Sequence, residues 1–421
     1  MRYIYCLLLL VLVSCGNDDS NDNPDMVTAR RTVVVYMSGD NNLSTMGFLE
    51  TDISEIKEGR KKVSKDENLV VYVDQKTDGK TPFLARVTQD GKLDTLYRYH
   101  EDFYSSDPQR MTDVLNKAIL LCPAKEDYGL VFWGHATGWL IEKDSISHRA
   151  YGLDQYSNQS EGLQLCWINL PSLREVLTSL HVKWKFIFFD CCNMLNAEVA
   201  YELRENTEYL IGSPAEIPGK GAPYQLVVKD MFTHNDETLY TSLCNHYYEQ
   251  DEEDEEHTPL AVVKTDAMPQ LATATRQILP QLNLYLTTSE DPTRNAIYYY
   301  GDPKEENCKS LYDMQDIIHT ALKDDDASYQ QWKNAFDQAV VYSRSSTLWQ
   351  TDFSDIYFDN YISFSDFTEI KDGIRVFKHG DDYCGVMSMF FPMEKYNTTL
   401  HPYNEDIKQL RWYYAVGWPG L

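Results

Sequence analysis

The sequence predicts an α/β protein: a mostly parallel sheet flanked by helices, with a C-terminal α+β subdomain. Three observations predict it. Short apolar, β-prone runs alternate with stretches of helical spacing between about residues 30 and 212, the pattern that builds a parallel sheet covered on both faces. The run Phe186-Ile-Phe-Phe189 is unbroken, as expected of a strand buried on both sides. Turn-forming or reactive residues follow directly after such runs, at Ser38-Gly-Asp-Asn-Asn42, Gly134-His135 and Asp190-Cys-Cys192. In open α/β sheets the carboxyl ends of strands are where ligands bind.

Taken in order, residues 1–14 carry Arg2 and an apolar run from Ile4 to Val13, too short to span a bilayer, and read as a signal peptide. Leu12-Val-Ser-Cys15 looks like a bacterial lipobox in which Cys15 is lipidated after cleavage. A secretory signal with a chance cysteine is the competing reading. Residues 15–29 form an acidic tether. Acidic residues just after the lipid cysteine resemble the surface-export signal of Bacteroidetes lipoproteins. The expected location is therefore the outer membrane, reached through an N-terminal lipid, with the cell surface as the further expectation.

Residues 30–248 are expected to form the first domain. A strand over 30–37 leads into the Ser38–Asn42 turn, whose residue types cap helices or bind substrate backbone. Residues 43 to about 57 read as one helix with Met46, Leu49, Ile53 and Ile56 on one face. A buried strand over 68–73 and a hairpin pairing 83–87 with 94–97 follow. Asp107-Pro108 opens a helix to about 121. Residues 128–133 are a strand, 140–165 a polar loop, and 170–180 a helix. The 186–189 strand, a helix over 194–203 and a strand over 208–212 complete the alternation.

Residues 249–257 hold an acidic run, read as a solvated loop. Crowded carboxylates also suit a hard cation such as calcium, but the spacing is not that of an EF-hand. Residues 258–421 are expected as the C-terminal subdomain. It has a strand over 258–264, a helix over 268–286 bent near Pro280, helices over 311–322 and 328–342, strands over 374–377 and 383–391, and a last helix over 404–414.

Composition excludes several classes. A formal net charge of −27 disfavours nucleic acid as a partner. An apolar fraction of 43% with 30 tyrosines excludes a disordered chain. Nine cysteines include Cys6 and Cys15; the remaining seven are an odd, widely spaced set in an exported chain. That is no disulfide framework, and no spacing suggests zinc.

The cysteine chemistry is concentrated at one place. Cys191 and Cys192 stand where a strand hands over to a helix, and a helix N-terminus stabilises a thiolate. Buried structural cysteines are the competing reading. A nucleophilic cysteine needs a nearby base, since a free thiol is only a few per cent ionised at neutral pH. His135 stands at the tip of another strand, in the glycine-bracketed Gly134-His-Ala-Thr-Gly138. Neighbours at a strand tip point opposite ways, so only one of the two cysteines can face it.

Four ordered segments carry a resemblance. They are Val33-Val-Val-Tyr-Met-Ser-Gly-Asp-Asn-Asn-Leu43, Trp133-Gly-His135, Phe189-Asp-Cys-Cys-Asn-Met194 with Glu198-Val-Ala-Tyr201, and Gly212-Ser-Pro-Ala-Glu-Ile-Pro-Gly-Lys-Gly-Ala-Pro-Tyr224. Together they resemble the clostripain family of cysteine peptidases, which has a caspase-like fold. Cys384–Pro392 and Trp412–Trp418 resemble the tail of its gut-bacterial lipoprotein members.

The resemblance implies an endopeptidase that works through a thioester on a peptide or protein substrate. The family's Asp-Ala-Cys pattern aligns with Asp190-Cys191-Cys192, making Cys192 the nucleophile and His135 its partner. The oxyanion would be held by the backbone N–H groups of Cys192 and Ala136, the latter in a place where the family usually has glycine. Gly134, Asp190, Ser213, Glu216 and Lys220 are the expected substrate-binding residues. Relatives cut after Arg or Lys with help from an acidic residue in a Pro-Gly-Asp-Gly loop. Here that loop reads Pro218-Gly-Lys-Gly221; a lysine pointing into the pocket opposes a basic P1, the competing reading being that it points to solvent, and Asp190 and Glu216 can still supply negative charge. Relatives also cut themselves in a loop after the histidine strand, where Lys143 and Arg149 lie. Two further readings remain: a catalytically silent relative that binds peptides at the surface, and a non-enzymatic surface lipoprotein.

Overall fold

A computed structural model describes residues 28–76, 80–139, 150–154, 157–158, 162–163, 166–253, 258–293, 296–300, 309–344, 348–352, 360–363, 368–371, 374–377, 386–397 and 402–419. Its centre is a nine-stranded sheet of β1 (Ala29–Gly39), β2 (Asn68–Gln75), β3 (Phe83–Val87), β4 (Leu93–Arg98), β5 (Ala124–Trp133), β6 (Trp184–Asp190), β7 (Thr207–Gly212), β8 (Leu260–Lys264) and β9 (Val340–Arg344). The spatial order is β9-β8-β7-β6-β5-β1-β2-β3-β4. The five inner strands, from β7 to β2, are parallel; β3 and β4 extend one edge and β8 and β9 the other, all antiparallel. Residues 258–421 thus supply two strands of this same sheet.

The inner strands are Val-, Ile- and Phe-rich because both faces are covered. Val34, Tyr36, Leu130, Phe132, Ile187 and Phe189 point into one core. It is closed by the helices Pro108–Leu121, Leu170–Ser179, Ala197–Glu202 and Met268–Thr288. Val33, Val35, Met37, Val131, Trp133, Phe186 and Phe188 point into the other, under Phe48–Arg60, Tyr224–Met231 and Asp236–Glu253. The period-two alternation of the strands divides one run of apolar residues between two cores.

Several boundaries differ from the sequence reading. The helix expected over 43–57 is two helices, Asn42–Thr45 and Phe48–Arg60, separated at Gly47 with φ +85°. Met46 lies in that break and is 63% exposed, so it leaves the apolar face assigned to it. Residues 193–196 are not helical: Asn196 caps a shorter helix, Ala197–Glu202, accepting from the Val199 N–H at 2.8 Å. Residues 311–313 are a strand before the helix Met314–Ala321. The helix expected to reach 342 ends at Ala339, and β-branched Val340 and Val341 start β9. The acidic run is helical as far as Glu253. Residues 404–414 divide into Tyr403–Asp406, a 3-10 turn and Arg411–Val416.

Candidate active site

The registers of β5 and β6 place the two candidate reactive residues side by side. Trp133 pairs with Asp190, the last pair of the two parallel strands. His135 and Cys192 each come two residues later, on strands roughly 4.8 Å apart. Gly134 makes the departure from β5 possible. Its φ is +142°, and a side chain there would meet the Ser38 carbonyl oxygen at 2.9 Å. The loop beyond is held by an isolated bridge between Ala136 and Tyr151. The bridge uses the Thr137 N–H to the Ala150 carbonyl (3.0 Å) and the Gly152 N–H to the His135 carbonyl (2.9 Å). The Ala136 N–H takes no part in it.

Beyond β6 the two cysteines separate. Cys191 is 2% exposed and belongs to the core that holds Phe189 and Tyr151. Cys192 is half-buried and packs toward the opposite core. Asn193 then turns the chain with φ +59°, and its N–H reaches the Ala215 carbonyl at 2.8 Å.

A narrow cleft opens between these strand ends. Leu43, Trp133, Gly134, His135, Asp190, Cys191, Cys192, Ile217, Pro218, Gly219 and Gly221 line it. The 217–221 loop closes directly on the thiol: the Ile217 N–H donates to Cys192 Sγ at 3.3 Å, and Sγ lies 3.9 Å from the Ile217 carbonyl oxygen. Asp190 anchors that loop from below. It accepts from the Ala222 N–H at 3.1 Å and from the Tyr224 and Tyr247 hydroxyls at 2.8 and 3.3 Å. Gly221, at φ +61°, fits because a side chain there would lie 2.9 Å from Asp190 Oδ2.

Of the expected substrate-binding residues, Gly134 and Asp190 line the cleft and the other three do not. Ser213 is buried, its Oγ accepting from the Ala215 N–H at 3.0 Å and its carbonyl from Leu195. Glu216 is buried beside the thiol loop, and Lys220 is exposed. Lys143, Arg149 and Cys15 lie outside the described residues. Among the described residues no group of three or more His, Cys, Asp or Glu side chains is arranged to hold a metal ion. Residues 254–257 of the acidic run lie outside the described residues.

The electrostatics give a neutral pair at rest. Burial pushes the Cys192 thiol up, the negative charge of Glu216 adds to the shift, and the Ile217 N–H opposes it. Burial pulls the His135 imidazole down to about 4. Both shifts disfavour the charged forms, so the free protein favours a neutral thiol and imidazole over a thiolate–imidazolium pair. Asp190 is pushed up to about 6 by burial against the pull of its three donors.

The clostripain family model matches residues 35–421. The chain belongs to the clostripain family. Two solved clostripain-type structures align over nearly its whole length. One is a secreted C11 cysteine protease from Bacteroides thetaiotaomicron, solved with an irreversible peptide inhibitor, with 28% identity and a TM-score of 0.73. It covers 93% of this chain and 100% of that one. The other is an inactive zymogen C11 protease from Parabacteroides distasonis, with 26% identity, a TM-score of 0.72, and coverage of 92% and 98%. A third, the Bacteroides thetaiotaomicron protease called iotapain, has 20% identity and a TM-score of 0.67 over 92% and 99% of the chains, and speaks to the fold alone. No curated protein matches the chain. The protein is thus a cysteine-type peptidase of the clostripain family with the caspase-like sheet expected of it.

Two contacts around this clostripain-type cleft escape sequence reasoning. Asn42 Oδ1 lies 2.7 Å from His135 Nε2; the sequence marks Asn42 only as a turn residue. Trp133, in the cleft wall, donates its indole N–H to Asp52 Oδ2 at 2.6 Å. Asp52 is buried and pushed up to about 9, by burial first and the nearby Asp190 second, so it is neutral at pH 7. An aspartate on the core face of a helix is the one signal that could have pointed to that pair.

Proposed function

We propose that this protein is an exported, lipid-anchored cysteine endopeptidase in which Cys192 attacks the scissile carbonyl and His135 serves the proton transfers. The observation that carries the reading is the shared cleft: His135 and Cys192 follow a paired residue couple on adjacent parallel strands and line the same opening. On attack the thiol proton passes to the imidazole while the S–C bond forms. On collapse the C–N bond breaks and that proton leaves with the amine, giving the thioester that water then hydrolyses. The amides of Ala136 and Cys192 would hold the oxyanion; one such donor is worth about 2.7–4 kcal/mol in the transition state. The peptide inhibitor bound by the Bacteroides thetaiotaomicron relative and the secreted character of that protein agree with this reading. Among the described residues no helix is long and apolar enough to cross a membrane; attachment would come from the lipid on Cys15.

P1 preference follows from the charge around the loop. Asp190 in the cleft favours a basic P1 residue, while Glu216 and the exposed Lys220, which stands where the family resemblance puts an acid, lie outside the lining and act on P1 only through the field of the loop. Fluorogenic peptides with Arg, Lys, Asp or neutral P1 groups test this. Cleavage that disappears in Cys192→Ala, with Lys220→Asp raising turnover of the Arg and Lys substrates specifically, is the expected result. Hydrolysis that persists in Cys192→Ala, or its absence from the wild type with every P1 group, overturns the endopeptidase reading and leaves a silent peptide-binding relative.

A further inference from the structure

We infer that Asn42 is a positioning residue for His135, fixing its imidazole with the proton on Nε2 and leaving Nδ1 to exchange protons with thiol and leaving amine. The inference rests on the endopeptidase reading above for its kinetic consequence, but its structural content stands alone. A carbonyl oxygen can only accept, so the 2.7 Å contact between Asn42 Oδ1 and His135 Nε2 requires the hydrogen on Nε2. The other nitrogen then keeps its lone pair. A ring nitrogen's role is set by the bond that the opposite nitrogen makes.

The side chain of Asn42 is exposed, yet its backbone is firmly held. Its neighbour Asn41 is fully buried, donating Nδ2 to the Ser38 and Leu153 carbonyls at 2.9 and 2.8 Å and accepting from the Leu43 N–H at 2.9 Å. Asn42 opens the short helix that follows, where its own carbonyl accepts from the Met46 N–H at 2.9 Å. The turn belongs to β1, which lies beside β5 in the sheet. The residue that orients the imidazole therefore comes from one inner strand, the imidazole from the next, and the thiol from the third.

The chemistry favours an amide over a carboxylate here. A carboxylate beside Nε2 would stabilise imidazolium and raise the resting charge of His135. The neutral Asn42 oxygen keeps the ring oriented without charging it. When Nδ1 takes the thiol proton, both ring N–H groups are occupied and Asn42 Oδ1 accepts from the more polar Nε2–H. When the amine leaves, the proton departs from Nδ1 and the Nε2 hydrogen never moves. The titratable groups that share the cleft with the ring are Asp190, Cys191 and Cys192.

The test compares wild type, Asn42→Ala and Asn42→Asp by steady-state kinetics over pH. It adds nitrogen NMR of the imidazole in the full chain carrying Cys192→Ala. Loss of one orienting hydrogen bond should lower kcat of Asn42→Ala about tenfold with little change in KM. Asn42→Asp should recover much of that rate and move the acid limb of the profile to higher pH. The NMR should find a single Nε2–H tautomer in the parent and a tautomer mixture once Asn42 is removed. An unchanged kcat and pH profile in Asn42→Ala of an active enzyme would overturn the inference. So would an Nδ1–H tautomer in the parent, which decides the matter even if the wild type cleaves nothing and the endopeptidase reading fails.

Discussion

At the scale of the residue, the thiol of Cys192 is the group whose state matters most. It is half-buried under the 217–221 loop, hydrogen-bonded to a backbone amide, and next to a carboxylate that discourages its ionisation. The expected outcome is slow alkylation in the free protein. Iodoacetamide incorporation at Cys192, followed by mass spectrometry, should rise with pH through the alkaline range with no plateau at neutrality. A plateau below pH 7 would mean a stable thiolate–imidazolium pair and contradict the neutral resting state. Gly221→Ala makes a second case, because φ +61° disfavours a side chain and the added methyl would press on Asp190. It should cost more activity than Gly219→Ala, where the atoms nearest the added methyl belong to the Phe48 side chain and the backbone is not left-handed. A smaller loss than in Gly219→Ala would argue against Asp190 as the anchor of the loop. Cys192 and His135 were legible in the sequence because each directly follows a strand of apolar residues. Asn42 and Asp52 were not, since a contact across two strands leaves no local pattern.

At the scale of the element, the segment 386–391 returns from far along the chain and packs against the segments that follow both β5 and β6. Ser388 bridges to Asn196, its N–H reaching the Leu195 carbonyl at 3.2 Å, and the Phe390 N–H donates to Glu198 Oε1 at 3.0 Å. The Phe390 ring packs edge-on against Trp139, on the histidine side, with centroids 5.1 Å apart. Glu198 is fully buried, and burial pushes its carboxyl up to about 8 against the pull of the Phe390 N–H. A folded pKa above the ordinary value makes this group's contribution complete at low pH and lost as pH rises through about 8. Thermal unfolding of the wild type should therefore weaken between about pH 4.5 and 8 more than that of Glu198→Gln, whose amide cannot ionise. Parallel curves would contradict the assignment. Glu198→Ala leaves the buried Phe390 N–H unpaired and should cost about 1–3 kcal/mol. Strand and helix types were mostly legible from apolar spacing, as in β6 and in the helix capped by Asp107. Boundaries failed where one backbone angle decides them, at Gly47 and Asn193, or where tertiary pairing draws Val340 into a sheet.

At the scale of the whole molecule, the parallel inner strands give the protein two unlike ends. β1 enters the sheet at Ala29 and delivers the Ser38–Asn42 turn at the other end, some 35 Å away for a strand of this length. The cleft lies at the exit end, between the tips of β5 and β6. Palmitate labelling should be present in the wild type and absent from Cys15→Ala, and the two forms should cleave a soluble peptide at matching rates. Equal labelling would refute the lipoprotein assignment. The alternating pattern made a parallel sheet legible, and the strand at 258–264 with it, but not the strand order, the antiparallel joining of that strand to the sheet as β8, or β9. The most direct test of the central claim is the site of covalent modification by a panel of peptidyl acyloxymethyl ketones. A single adduct on Cys192 is expected, lost in Cys192→Ala and weakened in His135→Ala. An adduct on another cysteine, or none on the folded wild type with any P1 group, would contradict it.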